Sequence, residues 1–169
     1  LASRTSDAGL IERLENLGRF ERWGPELRRQ MYRVRLTAAQ SSRRLETLLA
    51  ELSGWVEATD RDQIRGAYAG WRAILRFRRG EFREAADLHA FAADIKVRPT
   101  ARIASIIAEA TARMEAFESR RSLQLAREHL DLARQLGHLH YQARLEHLVR
   151  ANRYRLQEDQ RVDQQLVEA

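Results

Sequence analysis

Apolar residues recur along most of this chain at steps of three and four. The clearest run lies in its second half and consists of Ile103, Ile106, Ile107, Ala110, Met114 and Phe117. This spacing places the apolar side chains on one face of a helix. No segment of useful length alternates with the period of two that marks a strand. The chain has only 8 Gly and 2 Pro in 169 residues, too few for the turns of a β-rich fold. The pattern predicts an all-α protein with short loops.

Glycine and proline mark where these helices begin and end. Gly80 and Gly137 each follow an apolar-periodic segment, which is the position where glycine ends a helix. Pro99 interrupts the pattern, and Thr100 after it is the expected cap of the next helix. A further turn is predicted over residues 119–122. Thr59 or Asp60 offers a cap for an earlier helix.

Two segments of the chain correspond at an offset of 41 residues. The matched pairs are Phe82 with Leu123, Ala85 with Ala126, and Ala92 with Ala133. A helical hairpin that recurs at such a period is typical of an α-solenoid, because one hairpin alone cannot bury its apolar face. We expect the small residues Ala85 and Ala126 to lie where paired helices approach closely.

The motif GEFREA at residues 80–85 resembles the turn into the second helix of a tetratricopeptide repeat (TPR). Ala92 stands where that family has a second small residue, and Trp71 suits the large apolar position of its first helix. LARQLGH followed by YQARLEH, within residues 132–147, is similar to the longer-period relatives found in bacterial multidomain regulators. The resemblance implies antiparallel hairpins stacked as a right-handed TPR-like superhelix, an α-solenoid.

The domain organisation follows from these patterns. We expect one helical-repeat domain over 1–169, with N-terminal helices in 1–41 and TPR-like hairpins in 42–169. Residues 40–42 are either a short break or a continuation of a helix. The chain begins at Leu1 without an initiator Met, so we read it as a fragment of a longer protein.

Composition limits the compartment and the chemistry. The chain has no Cys, which fits a reducing cytoplasm, and no apolar run long enough to span a membrane. The motifs GxSxG, GxxxxGK[ST] and GxGxxG are absent. His138, His140 and His147 lack the convergent partners of a metal site. We therefore predict no enzyme activity, catalytic residue, cofactor or metal.

The net charge of +6 raises nucleic-acid binding as an alternative function. Of the 30 cationic residues, Lys96 is the only lysine, and the arginines are scattered among acidic neighbours. A scattered excess of this kind is typical of a solvated helix surface, whereas nucleic-acid binding favours a concentrated basic stripe. An arginine-rich module that associates with nucleic acid stays the alternative.

The candidate partner-binding residues are five arginines on the helices predicted to come first in each hairpin, and one asparagine further along the chain. They are Arg65, Arg72, Arg76, Arg102, Arg113 and Asn152. The arginines either grip acidic groups of a partner or form a solvated, salt-bridged face. For Asn152 the resemblance implies contact with the backbone of a bound peptide.

Taken with the resemblance, these residues favour a non-catalytic protein–protein interaction or sensory scaffold module of a bacterial signalling or transcription regulator. Its groove would take a peptide, another domain of the same protein, or a second copy of the chain.

Overall fold

Helices make up all the regular structure in the described part of the chain. A computed structural model describes residues 36, 41–58, 61–96 and 98–167, with side chains described up to residue 161. Within these residues there is no strand, so the expectation of an all-α protein is confirmed there. The helices are α1 (Ser42–Glu57), α2 (Asp62–Arg78), α3 (Phe82–Asp94), α4 (Pro99–Glu115), α5 (Ser119–Gln135) and α6 (Leu139–Val167).

The chain divides into two compact units, Leu1–Thr59 and Asp60–Ala169. In the first unit, the side chain of Ser41 accepts a hydrogen bond from the backbone N–H of Arg44 at 3.2 Å, so Ser41 caps α1. A helix therefore begins at Ser42, with Ser41 as its cap. The buried face of α1 consists of Leu45, Leu48, Leu49, Leu52 and Val56.

Several predictions fall on residues outside the described part. They are the helices of 1–41, apart from the helical and buried Leu36, and the cap at Thr59 or Asp60. The proposal of a single domain over 1–169 stays a prediction.

In the second unit, each helix packs against the next one along the chain, and α4 also contacts α6. Connections of three residues join α2 to α3, α4 to α5, and α5 to α6. Connections this short make the joined helices antiparallel neighbours. The unit therefore contains two helical hairpins, α2–α3 and α4–α5, followed by the long helix α6.

Two of these connections are the glycine turns expected from the sequence. Gly80 has φ +78° and Gly137 has φ +65°, in the left-handed region that glycine enters without a Cβ penalty. The N–H of Glu81 donates to the carbonyl of Arg76 at 3.0 Å, and that of His138 to the carbonyl of Ala133 at 3.3 Å. These bonds satisfy carbonyls at the ends of α2 and α5. The predicted helix ends are confirmed.

The turn between α4 and α5 was predicted wrongly. It lies at residues 116–118, and Ser119 already begins α5. Phe117 takes the left-handed conformation, with φ +62°, and the N–H of Glu118 donates to the carbonyl of Arg113 at 2.9 Å. No glycine marks this turn. The apolar spacing therefore predicted that the helix includes Phe117, and the turn was predicted too far along the chain.

The start of α4 also differs in detail. Arg98 is the residue that precedes the helix, and Pro99 is its first residue, where proline's missing N–H is not needed. Thr100, the expected cap, lies inside the first turn.

The two hairpins repeat at 37 residues. Helix α2 begins at Asp62 and α4 at Pro99, while α3 begins at Phe82 and α5 at Ser119. The offset of 41 instead matches only the C-terminal ends of α3 and α5, because α5 has 17 residues and α3 has 13. The sequence comparison therefore matched the two hairpins at an offset four residues longer than the spacing of their helix starts, and the repeat stays a prediction.

The expected small residues are buried. Ala85 and Ala126 are both 0% exposed. Ala85 lies with Ala86 and Ala112 in a small cluster against Phe77, whose ring meets that of Phe82 edge-on at 5.1 Å. The larger core joins α4, α5 and α6 and consists of Ile103, Ile107, Ala110, Met114, Leu125, Ala126, Ala133, Leu145 and Leu148.

Candidate interaction surface

Arginine–carboxylate pairs brace the turns of both hairpins. Arg76, near the end of α2, pairs with Glu81 beyond the turn, and its Nε lies 3.4 Å from Glu84. Arg113 and Glu118, each 37 residues further on, form the same pair at 3.0 Å. The structure thus places Arg76 and Arg113 at equivalent positions, with their charges directed to neighbouring helices.

Arg113 is enclosed by carboxylates. Its side chain is 17% exposed and lies 2.7 Å from Asp87 of α3 and 3.5 Å from Glu109 of α4, in addition to Glu118. Burial alone lowers the pKa of Arg113, but the hydrogen bonds to Glu118 and Asp87 outweigh it, and the pKa is raised. Burial also raises the pKa of Glu109, against the opposing charges of Arg113 and Arg121. Arg113 therefore holds α3, α4 and the turn together.

The other three candidate arginines are on the surface. Arg65 lies 3.9 Å from Asp62, and the guanidinium of Arg72 lies 5.9 Å from the ring centre of Tyr68. Arg102 is exposed, and its side chain makes no ion pair with a described residue. These three side chains stay open to a partner.

Asn152 lies in the core, contrary to the expected groove position. It is 0% exposed, and its Nδ2 donates to Ser122 Oγ and to the carbonyl of Leu148, both at 2.8 Å. Ser122 Oγ in turn donates to the carbonyl of Ala110 at 2.6 Å. This chain of bonds links α6, α5 and α4. The signal was present in the sequence, since the apolar steps through Leu145 and Leu148 continue to Asn152.

A second polar cluster, which the sequence reading did not identify, lies in the α2–α3 hairpin. Lys96 Nζ donates to Ser105 Oγ of α4 at 2.5 Å, and burial lowers the pKa of this lysine. Burial of His89 and the charge of Lys96 lower the pKa of that imidazole from 6.5 to about 4. A Cβ on Gly66 of α2 would lie 3.1 Å from Ile95 Cγ1, so only a very small residue fits there. The one sequence feature that pointed to this cluster is Lys96, the single lysine of the chain.

The remaining histidines considered from the sequence are exposed. His138 and His140 lie beside the ring of Tyr141, at 4.8 and 5.9 Å between ring centres, and His147 is on the surface of α6. Among the described residues, no group of three or more His, Asp or Glu side chains is placed to hold a metal ion.

The most unusual surface feature is Phe117. Its side chain is 90% exposed, although the apolar pattern predicted it on the buried face of a helix. A phenylalanine with φ +62° is a backbone outlier, because the left-handed region crowds its Cβ. Gly80 and Gly137 occupy this position in the neighbouring turns.

Phe117 borders a groove of about 570 Å³ between the start of α5 and the second half of α6. We name it the Phe117 groove. Its lining residues are Phe117, Glu118, Ser119, Arg120, Arg121, Leu156, Asp159 and Gln160. Phe117 and Leu156 are its large apolar side chains, and charged side chains stand on both walls.

Compared with known proteins, the chain matches no protein-family model, no curated protein and no solved structure.

In the described part of the chain, no helix carries a stretch long and apolar enough to cross a membrane. Even α6, with 29 residues, is interrupted throughout by charged side chains.

Proposed function

We propose that this chain is a non-catalytic protein–protein interaction module of a bacterial signalling or transcription regulator in the cytoplasm. Its hairpins stack as a right-handed TPR-like superhelix, and a protein or peptide partner binds at the Phe117 groove. The equal spacing of the helix starts in the two hairpins supports the repeat. The resemblance of residues 80–85 to a tetratricopeptide turn supports the class of protein.

The observation that carries the docking site is the exposure of Phe117 in a strained conformation. A residue held in the left-handed region without glycine destabilises the fold by about 1–3 kcal/mol. The side chain of Phe117 is also 90% exposed, so the fold does not gain the free energy that burial of this ring would contribute. A partner that covers Phe117 recovers this second contribution, since burial of one large apolar side chain contributes about 1.5–3 kcal/mol.

The arginines favour a protein partner over nucleic acid. Arg76 and Arg113 are bound to carboxylates, and Arg134 and Arg155 also have acidic neighbours, at 3.0 Å from Asp131 and 3.7 Å from Glu115. A nucleic acid would have to compete with these internal pairs. Tight DNA binding with a steep dependence on salt would reverse this preference.

Selection from a random peptide library displayed on phage tests the docking site. We expect the selected peptides to bind Phe117→Gly at least about tenfold more weakly than the unchanged chain, as for a central aromatic anchor. Tyr154→Ala is the matched control, because Tyr154 is 64% exposed and does not line the groove. Equal binding to the unchanged chain and to Phe117→Gly would contradict the assignment.

A further inference from the structure

The two walls of the Phe117 groove carry opposite charges. Arg120 and Arg121 stand on the α5 wall, and Asp159 stands on the α6 wall. All three are exposed, and none forms an ion pair with a described residue. The one hydrogen bond of the Arg121 side chain in the described part of the chain is to the neutral Gln124, at 3.1 Å.

Glu118 does not neutralise the α5 wall. Its carboxylate is held by Arg83 of α3 at 3.1 Å and by Arg113 at 3.0 Å. Two cations already share it, so it has little remaining negative charge to offer Arg120 or Arg121.

The position of these arginines adds to the positive charge. They lie in the first turn of α5, where the helix dipole already favours anions, and this turn has no acidic residue. The first turns of α2 and α3 each carry one, Asp62 and Glu84. Arg120 and Arg121 therefore form no ion pair in the described part of the chain, although the charge of Arg121 acts on the buried Glu109.

The proposed function requires a partner at this groove, and the inference rests on it. We infer that the partner is a second copy of this chain. A two-fold axis along the groove brings the α5 wall of one copy against the α6 wall of the other, since such a contact is self-complementary. Arg120 and Arg121 then face Asp159 of the second copy, and the same contact forms again on the other side of the axis.

The apolar residues fit the same arrangement. Phe117 and Leu156 also line the groove, so the two-fold contact covers the exposed ring with apolar surface from the second copy. An acidic partner would attract the arginines of the α5 wall but repel Asp159. A basic partner would attract Asp159 but repel the arginines. A second copy satisfies both walls at once.

Charge reversal tests this pairing. We expect sedimentation velocity over a broad concentration series to show self-association of the unchanged chain. Arg120→Glu/Arg121→Glu and Asp159→Arg should each raise the dissociation constant at least about tenfold, because like charges then face each other twice in every pair. An equal mixture of the two variants should associate again, since every facing pair is then attractive.

The variants should remain folded. Acidic residues in the first turn of α5 suit the helix dipole, and Asp159 makes no ion pair with a described residue. Thermal melting checks this for each variant. Arg127→Glu is the matched control, because Arg127 is an exposed arginine of α5 outside the groove, and its self-association should equal that of the unchanged chain.

Two results would overturn the inference: an unchanged chain that is monomeric at every concentration, or a mixture of variants that stays monomeric. If peptides selected on that monomer bind Phe117→Gly weakly, the groove still docks a protein, and only its identity as a second copy fails. If Phe117→Gly alters neither self-association nor peptide binding, the proposed function fails as well.

Discussion

The two hairpins of the second unit have equally spaced helix starts, but large and small side chains are exchanged between their helices. At the repeat of 37 residues, Gly66 and Gly70 of α2 correspond to Ile103 and Ile107 of α4. Lys96, just after α3, corresponds to Ala133 in α5. In the first hairpin the long side chain of Lys96 lies near Gly66 and Gly70. In the second hairpin Ile103, Ile107 and Ala133 belong to one apolar core.

The comparison shows that two hairpins with equally spaced helix starts can have different side chains at corresponding positions. We expect the large side chain beside the glycines to fill space that isoleucines fill in the second hairpin, because cores tolerate exchanges that keep the total volume. The first hairpin has a titratable group at a buried position, because His89 corresponds to Ala126 of the second hairpin. The second hairpin has an apolar core there and carries the exposed Phe117 at its turn.

The largest effect expected from this comparison concerns the paired arginines at the two turns. Arg113→Ala should destabilise the fold by about 3 kcal/mol, because Glu109 and Glu118 would lose the cation that neutralises them in a partly buried site. Arg76→Ala should change it by less than about 1 kcal/mol, since Arg76 is 33% exposed and solvent screens its pairs. Urea unfolding measures both, and equal losses would show that the turns are braced alike.

A pH dependence of stability should arise in the first hairpin from the buried His89. Folded His89 has a pKa of about 4 against the usual 6.5, so the unfolded chain binds this proton first as pH falls. Its contribution to stability is therefore complete above pH 6.5 and is lost as pH falls towards 4.

This loss should reach about 2 kcal/mol between pH 7 and 4.5. The free energy of unfolding of His89→Gln should lack this part of the slope, and the difference between the two chains separates it from titrating carboxylates. Parallel pH profiles would contradict the buried neutral imidazole.

A smaller effect should appear when the first hairpin is converted towards the packing of the second. Gly66→Ile should clash with Ile95 and the stem of Lys96, and Lys96→Ala should leave unfilled space. The double variant should be more stable than the sum of the single changes predicts by about 1 kcal/mol, because the new isoleucine can fill part of the space that the lysine side chain leaves, while its contact with Ile95 remains. Additive losses in urea unfolding would argue against the volume exchange.

Much of the secondary structure could be predicted from the sequence, because helices and glycine turns depend on residues that are close together in the chain. The apolar steps gave the helices of the second unit, and Gly80 and Gly137 gave two of its turns. The turn at Phe117 was not predicted, because the residue in the left-handed conformation is a phenylalanine and no glycine marks the position. That single misplacement also shifted the repeat offset from 37 to 41.

The candidate site was less predictable than the fold. Helical spacing identified which arginines share a face, but it did not show that carboxylates of α3 and the turn enclose Arg113. Asn152 was assigned by resemblance, and its partner Ser122 lies 30 residues away in another helix. The Phe117 groove depends on α6 passing the start of α5, a contact between distant segments.

The free energy of unfolding of Phe117→Gly tests the central claim most directly, because glycine relieves the left-handed strain that phenylalanine imposes. If Phe117 is kept for binding, the variant should be more stable than the unchanged chain by about 1 kcal/mol in urea unfolding at protein concentrations where both chains are monomeric. A loss of stability of similar size would show that Phe117 supports the fold itself, and would contradict its assignment as a docking residue.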